Sequence, residues 1–329
     1  MAIGPIAITG SIATDHLMHF PGRFGEHLIA EQLDRVSLSF LVDDLEIRRG
    51  GVAANIAFSL GVLGKNPVLV GAVGADFADY RSWLERHGVD CGGVLTVDGA
   101  HTPRFSCMTD DDQCQIASFY PGAMASSSSI DLAPVLASRR VALVLVGAGD
   151  PEAMLAHTVQ AHRLGVAVAA DPSQQLPRLD RDDCRALVDG AGYLFTNEYE
   201  WELLVRRTGW AEREITERVG LRVTTLGDKG ARLVGGGIDL QVDAVPAREI
   251  LDPTGVGDAF RAGFLAGVDS GLPVEHAAQL ASLIATAVLE SVGSQEWTLT
   301  ARDGTERLSA AYGPAAAAAI GPHLRTVFG

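Results

Sequence analysis

The chain has 329 residues, is 47% hydrophobic and 20% charged, and carries a formal net charge of -15. That balance suits a large globular core, and the length fits two domains or one large α/β unit. The acidic surplus excludes a nucleic-acid backbone or an anionic membrane surface as a general partner, because both require a basic face, but a phosphate can still be held locally by backbone N–H groups and a metal.

The N-terminal "MAIGPIAITGSIATDHL" has no basic stretch followed by a long apolar run, so no signal peptide is expected. No apolar run approaches membrane-spanning length without Gly, Ser or charge. After a first strand, residues 13–51 read as short amphipathic strands with turns. From residue 52 the period changes. A helix is predicted over 53–64, a strand over 67–74 and a helix over 77–88. Residues 99–122 return to the amphipathic-strand pattern. The serine run 126–129 reads as a connector to the core and a cap for a helix beginning at "DLAPVL". Strands are predicted over 141–149, 166–173, 193–197 and 222–227, with helices over 152–165 and 198–209 between them. The Ala-rich tail from 301 is helical in composition. Such alternation predicts an α/β fold: a doubly wound, mostly parallel sheet with helices on both faces. The core then comprises 1–12, 52–98 and 123–329, and the segments 13–51 and 99–122 form one small β-sheet lid over its mouth.

The four cysteines, Cys91, Cys107, Cys114 and Cys184, form neither a C-x-x-C pair nor a zinc-spaced cluster. Reduced thiols in a cytoplasmic setting are expected. The histidines are scattered and read as packed or surface groups.

The stretch "ILDPTGVGDAF" (250–260) places Thr254, Gly255, Val256, Gly257 and Asp258 just before a helical pattern. Glycines there let N–H groups converge near a helix N-terminus, which suits an anion. Asp258 then serves either as an N-terminal charge partner or as a base facing that anion. The dinucleotide fingerprint fails, since Phe260 stands where its last glycine belongs, and neither a Walker A loop nor G-x-S-x-G occurs. Three further motifs accompany the stretch. "RRGGVAANIAFSLGVLG" (48–64) sets Gly50 and Gly51 ahead of Asn55; "FTNEYE" (195–200) carries Asn197 and Glu200 as N-x-x-E; "TTLGDKG" (224–230) runs from Thr225 to Gly230.

In that order the four motifs resemble the ribokinase-like (PfkB) kinase family over nearly the whole chain. Val256 departs from the small residue usual at its position. Within the family, "TGSIATDHLM" (9–18), "SLSFLVDDL" (37–45), "QIASFYPGAM" (115–124), "DPSQQL" (171–176) and "GSQEW" (293–297) are similar to adenosine kinases of the actinobacterial type. The resemblance implies phosphoryl transfer from ATP, with Mg²⁺ and room for a monovalent cation, to the 5′-hydroxyl of adenosine. Asp258 would be the base, and Gly255, Val256 and Gly257 an N–H anion hole. Asp15 would bind the ribose 2′- and 3′-hydroxyls, a diol that one carboxylate can accept from twice, with Gly51 and Asn55 lining the sugar. Ser11 and Ser39 are either nucleoside contacts or ordinary turn and strand hydroxyls. Phe105 and Phe119 would sandwich adenine or else pack the lid on itself. Gln174 and Gln175 follow a strand end, where ligand crevices form. Arg178 reaches a substrate phosphate or makes a surface ion pair. Asn197 and Glu200 would organise Mg²⁺ and phosphate through water, since Mg²⁺ commonly retains several waters. Thr225, Gly227, Gly230 and Thr254 would meet the nucleotide, and Lys229 is expected to be exposed. A homodimer through the lid is also implied. A sugar kinase and a non-catalytic ligand-binding regulator are the rival readings.

Overall fold

The computed structural model describes residues 4–27, 35 and 37–329. Within the expected small-sheet segment, residues 28–34 and 36 lie outside the described residues, as do residues 1–3 of the expected core.

The strands in chain order are β1 (Ile6–Thr9), β2 (Ala13–Phe20), β3 (Asp44–Gly50), β4 (Val68–Val73), β5 (Asp90–Thr96), β6 (Arg104–Asp110), β7 (Gln115–Tyr120), β8 (Leu143–Val146), β9 (Ala167–Ala170), β10 (Tyr193–Asn197), β11 (Leu221–Thr225), β12 (Ala231–Gly235) and β13 (Ile238–Val242). Nine of them form one sheet in the order β13-β12-β11-β10-β9-β8-β1-β4-β5. Seven run parallel, from β5 to β11; β12 and β13 add an antiparallel edge. The continuous apolar runs of β1, β4 and β8 are wholly buried, as helices on both faces require. β1 is flanked by β4 on one side and β8 on the other, so the chain reverses its direction of winding there. In an open α/β sheet, the crevice at such a reversal, outside the carboxyl ends of the strands, is where ligands bind.

Several helices start at a side-chain cap. Asp150 and Asp180 accept N–H groups of the helices Pro151–Arg163 and Arg181–Val188. The serine run differs from expectation. It is a 3-10 segment, Gly122–Ser129, and the cap of Leu132–Arg139 is Asp131, whose Oδ1 accepts from Ala133 N at 2.9 Å. Asp131 directly precedes the first helical residue, while the serine hydroxyls bond elsewhere: Ser127 Oγ accepts from Ala72 N, and Ser129 Oγ donates to Ser126 O. Two helices, Val52–Val62 and Val256–Asp269, are buried nearly all round and carry the motif residues into the centre of the molecule.

The second sheet has the order β3-β2-β6-β7, parallel between β2 and β6 and antiparallel at its edges. Its register puts Arg48, Asp15, Phe105 and Phe119 in one row across all four strands. Two consecutive arginines seat it on the core. Arg48 donates to Asp252 Oδ2 at 2.9 Å, and the Arg49 guanidinium lies 4.1 Å above the Trp83 ring.

Candidate active site

The carboxyl ends of β11, β10, β9, β8 and β1 present, in that spatial order, Thr225, Asn197, the Ser173–Gln175 loop, Ala148 and Ser11. All line one cavity of about 580 Å³. Four strand spacings of about 4.8 Å make this crevice roughly 19 Å long. The small sheet contributes Asp15, Phe105 and Phe119; the two central helices contribute Gly51, Asn55, Thr254, Gly255, Gly257, Asp258 and Arg261.

The turn at 254–258 has the geometry of an anion site. Gly255 takes φ 76°, and a Cβ there would run into Ser294 Cβ. The first intrahelical bond joins Ala259 N to Gly255 O, so the N–H groups up to Asp258 precede the helical ladder. Val256 N points at Pro253 O from 3.5 Å, the outer limit of a hydrogen bond, and its side chain lies outside the cavity lining. Asp258 is set deep in this cavity. Burial pushes its carboxyl up to about 7, against the opposing pull of Arg261 and of the Asn55 hydrogen bond, with Asp171 and Glu200 adding to the rise.

Asn55 is held by a chain of groups that includes Ser294 and Gln295 of the GSQEW segment, residues to which sequence reading assigned no role. Its Nδ2 donates to Asp258 Oδ2 at 2.9 Å. Its Oδ1 accepts from Ser294 Oγ at 2.9 Å and from Gln295 Nε2 at 3.0 Å, which fixes the amide with its donor toward the carboxylate. Gln295 Nε2 also donates to the Tyr80 hydroxyl at 2.6 Å, and that hydroxyl donates to Gly50 O at 2.9 Å. Tyr80→Phe strands both neighbours in a buried place. A loss of about 1–3 kcal/mol in denaturant unfolding is expected; an unchanged midpoint would contradict the network.

At the start of the Val52–Val62 helix, Gly51 takes φ 94°, and a Cβ there would lie 2.6 Å from Ala13 N and Ser11 O. Only glycine lets the chain turn there into the Val52–Val62 helix. Ser11 lines the cavity, and its Oγ accepts from Val52 N at 3.0 Å, so it caps that helix. Burial pushes the Asp15 carboxyl up to about 6, with Arg48 opposing and Asp252 reinforcing. Gln174 and Gln175 both line the cavity, and Gln175 Oε1 is buried without a hydrogen-bond partner among the described residues.

The N-x-x-E motif is a reciprocal capping box. Glu200 N donates to Asn197 Oδ1, and Asn197 N to Glu200 Oε2, each at 2.7 Å. Ser173 Oγ donates to Glu200 Oε1 at 3.4 Å. With its first lone pairs engaged this way, Glu200 suits a metal held through water rather than directly. Among the described residues no group of three or more His, Cys, Asp or Glu side chains could hold an ion by itself.

Four expected residues stand outside the lining. Ser39 is exposed ahead of β3, and Arg178 is exposed at the end of the segment Ser173–Arg178. Val256 directs only its backbone to the turn. Gly230 is buried where a Cβ would strike the Val242 carbonyl, so its glycine serves the approach of β13. Lys229 is exposed. Arg261 is the opposite case: it lines the cavity, paired with the buried Asp171 behind it, and sequence reasoning gave neither a role. The signal was an arginine within an otherwise apolar helical pattern, which demands a buried partner.

Known proteins are similar to this chain over most of its length. A nucleoside kinase of Methanothermobacter thermautotrophicus is 29% identical over 307 residues, covering 92% of this chain and 95% of that one. The structure of a nucleoside kinase from Burkholderia thailandensis in complex with inosine superposes with a TM-score of 0.82 at 33% identity, covering 94% and 99% of the two chains. An adenosine kinase from Sinorhizobium meliloti, at 20% identity and a TM-score of 0.71 over 90% and 97%, shares the fold. The profile of the pfkB family carbohydrate kinases matches residues 24–301, and the chain belongs to that family of phosphotransferases.

Proposed function

We propose that this kinase transfers the γ-phosphoryl group of ATP to the 5′-hydroxyl of adenosine, yielding AMP and ADP in cytoplasmic purine salvage. The observation that carries the reading is one continuous cavity. Its lining includes a carboxylate suited to a diol, Asp15, two aromatic rings, Phe105 and Phe119, and a glycine turn with a second carboxylate, Asp258. The similarity to a nucleoside kinase whose structure is in complex with inosine supports a purine nucleoside as acceptor.

Phe105 and Phe119 are paired in register across β6 and β7, line the cavity together and offer their rings to the base. Asp15, Asn55 and Gly51 hold the ribose, and Gln174 and Gln175 supply amides at the base side. Asp258 takes the 5′-hydroxyl proton as O5′ bonds to the γ-phosphorus and the bond to the β,γ-bridging oxygen breaks, with ADP leaving. N–H groups of the 255–257 turn offset charge on the transferring group. Thr225, Gly227, Thr254 and Asn197 line the donor end. Mg²⁺, held through water by Glu200, would neutralise charge on the phosphates.

The reading includes a homodimer through the small sheet. Leu45, Met18, Met108 and Ile116 form a row in register across its four strands, on the face opposite Asp15, and Leu45 and Ile116 are exposed.

A coupled assay with ATP against adenosine, inosine, other nucleosides, ribose and fructose tests the acceptor. Adenosine should give the highest kcat/KM; ribose or fructose ahead of every nucleoside would overturn the reading. Phe105→Ala should raise the adenosine KM about tenfold or more, the scale of one lost base–aromatic stack, and equal losses with ribose would contradict the sandwich.

A further inference from the structure

Arg261 sits where a helix least favours a cation. It follows Asp258 by about one turn, and its side chain runs back toward a helix N-terminus that carries partial positive charge. It is only 5% exposed, among the apolar residues of Val256–Asp269. A buried ion pair is poor ground for stability, since apolar residues of similar volume often serve a core as well or better. Its partners account for it. NH2 donates to Asp171 Oδ1 at 2.6 Å, while Nε lies 2.5 Å from Oδ2 at an angle too oblique for a second hydrogen bond. NH1 donates to Gly257 O at 2.9 Å, and NH2 lies 3.9 Å from Glu200 Oε2. Asp171 leads directly into the loop that presents Gln174 and Gln175; Gly257 belongs to the anion turn; Glu200 closes the capping box on the donor side. One guanidinium therefore touches three segments that must stay aligned during transfer.

Resting on the kinase reading above, we propose that Arg261 is a positioning residue: paired with Asp171, it locks the Ser173–Gln175 loop to the Gly257 carbonyl and so aligns acceptor, base and anion turn. A second consequence follows from charge. Asp258 is faced by Asn55 from the Val52–Val62 helix, by Asp171 after β9, by Glu200 from the Glu198–Thr208 helix and by Arg261 from its own helix. Arg261 is the one cation in that set.

The test uses the full chain with ATP and adenosine. Arg261→Gln should lower kcat by about 10²-fold, the cost of a displacement near 1 Å, raise the adenosine KM, and move the acid limb of the kcat profile to higher pH. Arg261→Lys keeps the charge and should restore the limb while kcat stays low, because the planar fork is lost. An active wild type whose Arg261→Gln variant keeps the adenosine KM and the acid limb overturns the inference. If Arg261→Gln does not fold, the paired change Asp171→Leu with Arg261→Met removes both charges. Its melting temperature should match or exceed that of the wild type while kcat/KM falls by at least the same factor; wild-type kcat/KM in that folded pair overturns the inference. A wild type that phosphorylates no nucleoside overturns the functional reading itself, and this inference with it.

Discussion

Replacing Asp258 with Asn is expected to preserve the fold and lower kcat by about 10²–10⁴-fold, the usual contribution of a positioned base. The amide keeps the shape of the carboxylate and can still meet Asn55, but it cannot take a proton. The pH behaviour separates a base from a helix cap. With the wild-type carboxyl raised to about 7, chiefly by burial, the base form is lost as pH falls, so kcat/KM should show an acid limb near pH 7. Stability runs the other way. The folded-state pKa lies above the ordinary value of 3.8, so the folded state binds the proton more tightly than the unfolded chain. The resulting stabilisation is full below about pH 4 and is lost as pH rises through 7. Asp258→Asn should therefore melt above the wild type at pH 8, by on the order of 1 kcal/mol or more, with the gap closing toward pH 4. A variant with near-normal turnover, or one less stable than wild type at pH 8, would contradict this account of Asp258.

Gly255→Ala is expected to be nearly as damaging to turnover, for a purely geometric reason. The residue holds φ 76°, a region that costs an L side chain about 1 kcal/mol or more, and the new methyl would collide with Ser294 Cβ. The turn must shift, and its N–H groups lose their aim at the transferring phosphoryl group. A fall in kcat of about 10²–10³-fold is expected, matching the loss of an oxyanion donor. Adding Ser294→Gly removes the collision but leaves the backbone strain and also deletes the Ser294 Oγ bond to Asn55, so turnover should stay low. Full activity in Gly255→Ala would show that this turn does not hold the reacting phosphate.

Much of the architecture was legible because it is local. Apolar runs alternating with 3.6-residue periods marked β4, β8, β9, β10 and β11 and the helices over 53–64, 77–88, 152–165 and 198–209, though not Arg181–Val188 or Glu212–Arg218, and the amphipathic segments proved to be one sheet. β5 escaped notice because Gly92 and Gly93 interrupt it; β12 and β13 did so although Gly235, Gly236 and Gly237 form the kind of turn that joins a hairpin. Motifs located the cavity well, since strand ends and helix starts converge there by topology. They did not give side-chain direction, which is why Ser39, Arg178 and the Val256 side chain stand outside its lining, nor did they show that Gly230 serves the packing of β13. Nor could spacing reveal pairings such as Arg261 with Asp171 or Asn55 with Gln295, which lie 90 and 240 residues apart and exist only once the helices pack. The N-x-x-E motif carried a second meaning that local rules do supply, a capping box, overshadowed by its resemblance to a metal motif.

The central claim is that this cavity joins a purine nucleoside and ATP in line with Asp258. Its most direct test is the identity of the product. Enzyme, ATP, Mg²⁺ and adenosine should yield 5′-AMP and ADP in equal amounts by chromatography and mass spectrometry, with Asp258→Asn yielding almost none. ATP hydrolysis without nucleotide formation, phosphate at another hydroxyl, or equal product from the variant would contradict it.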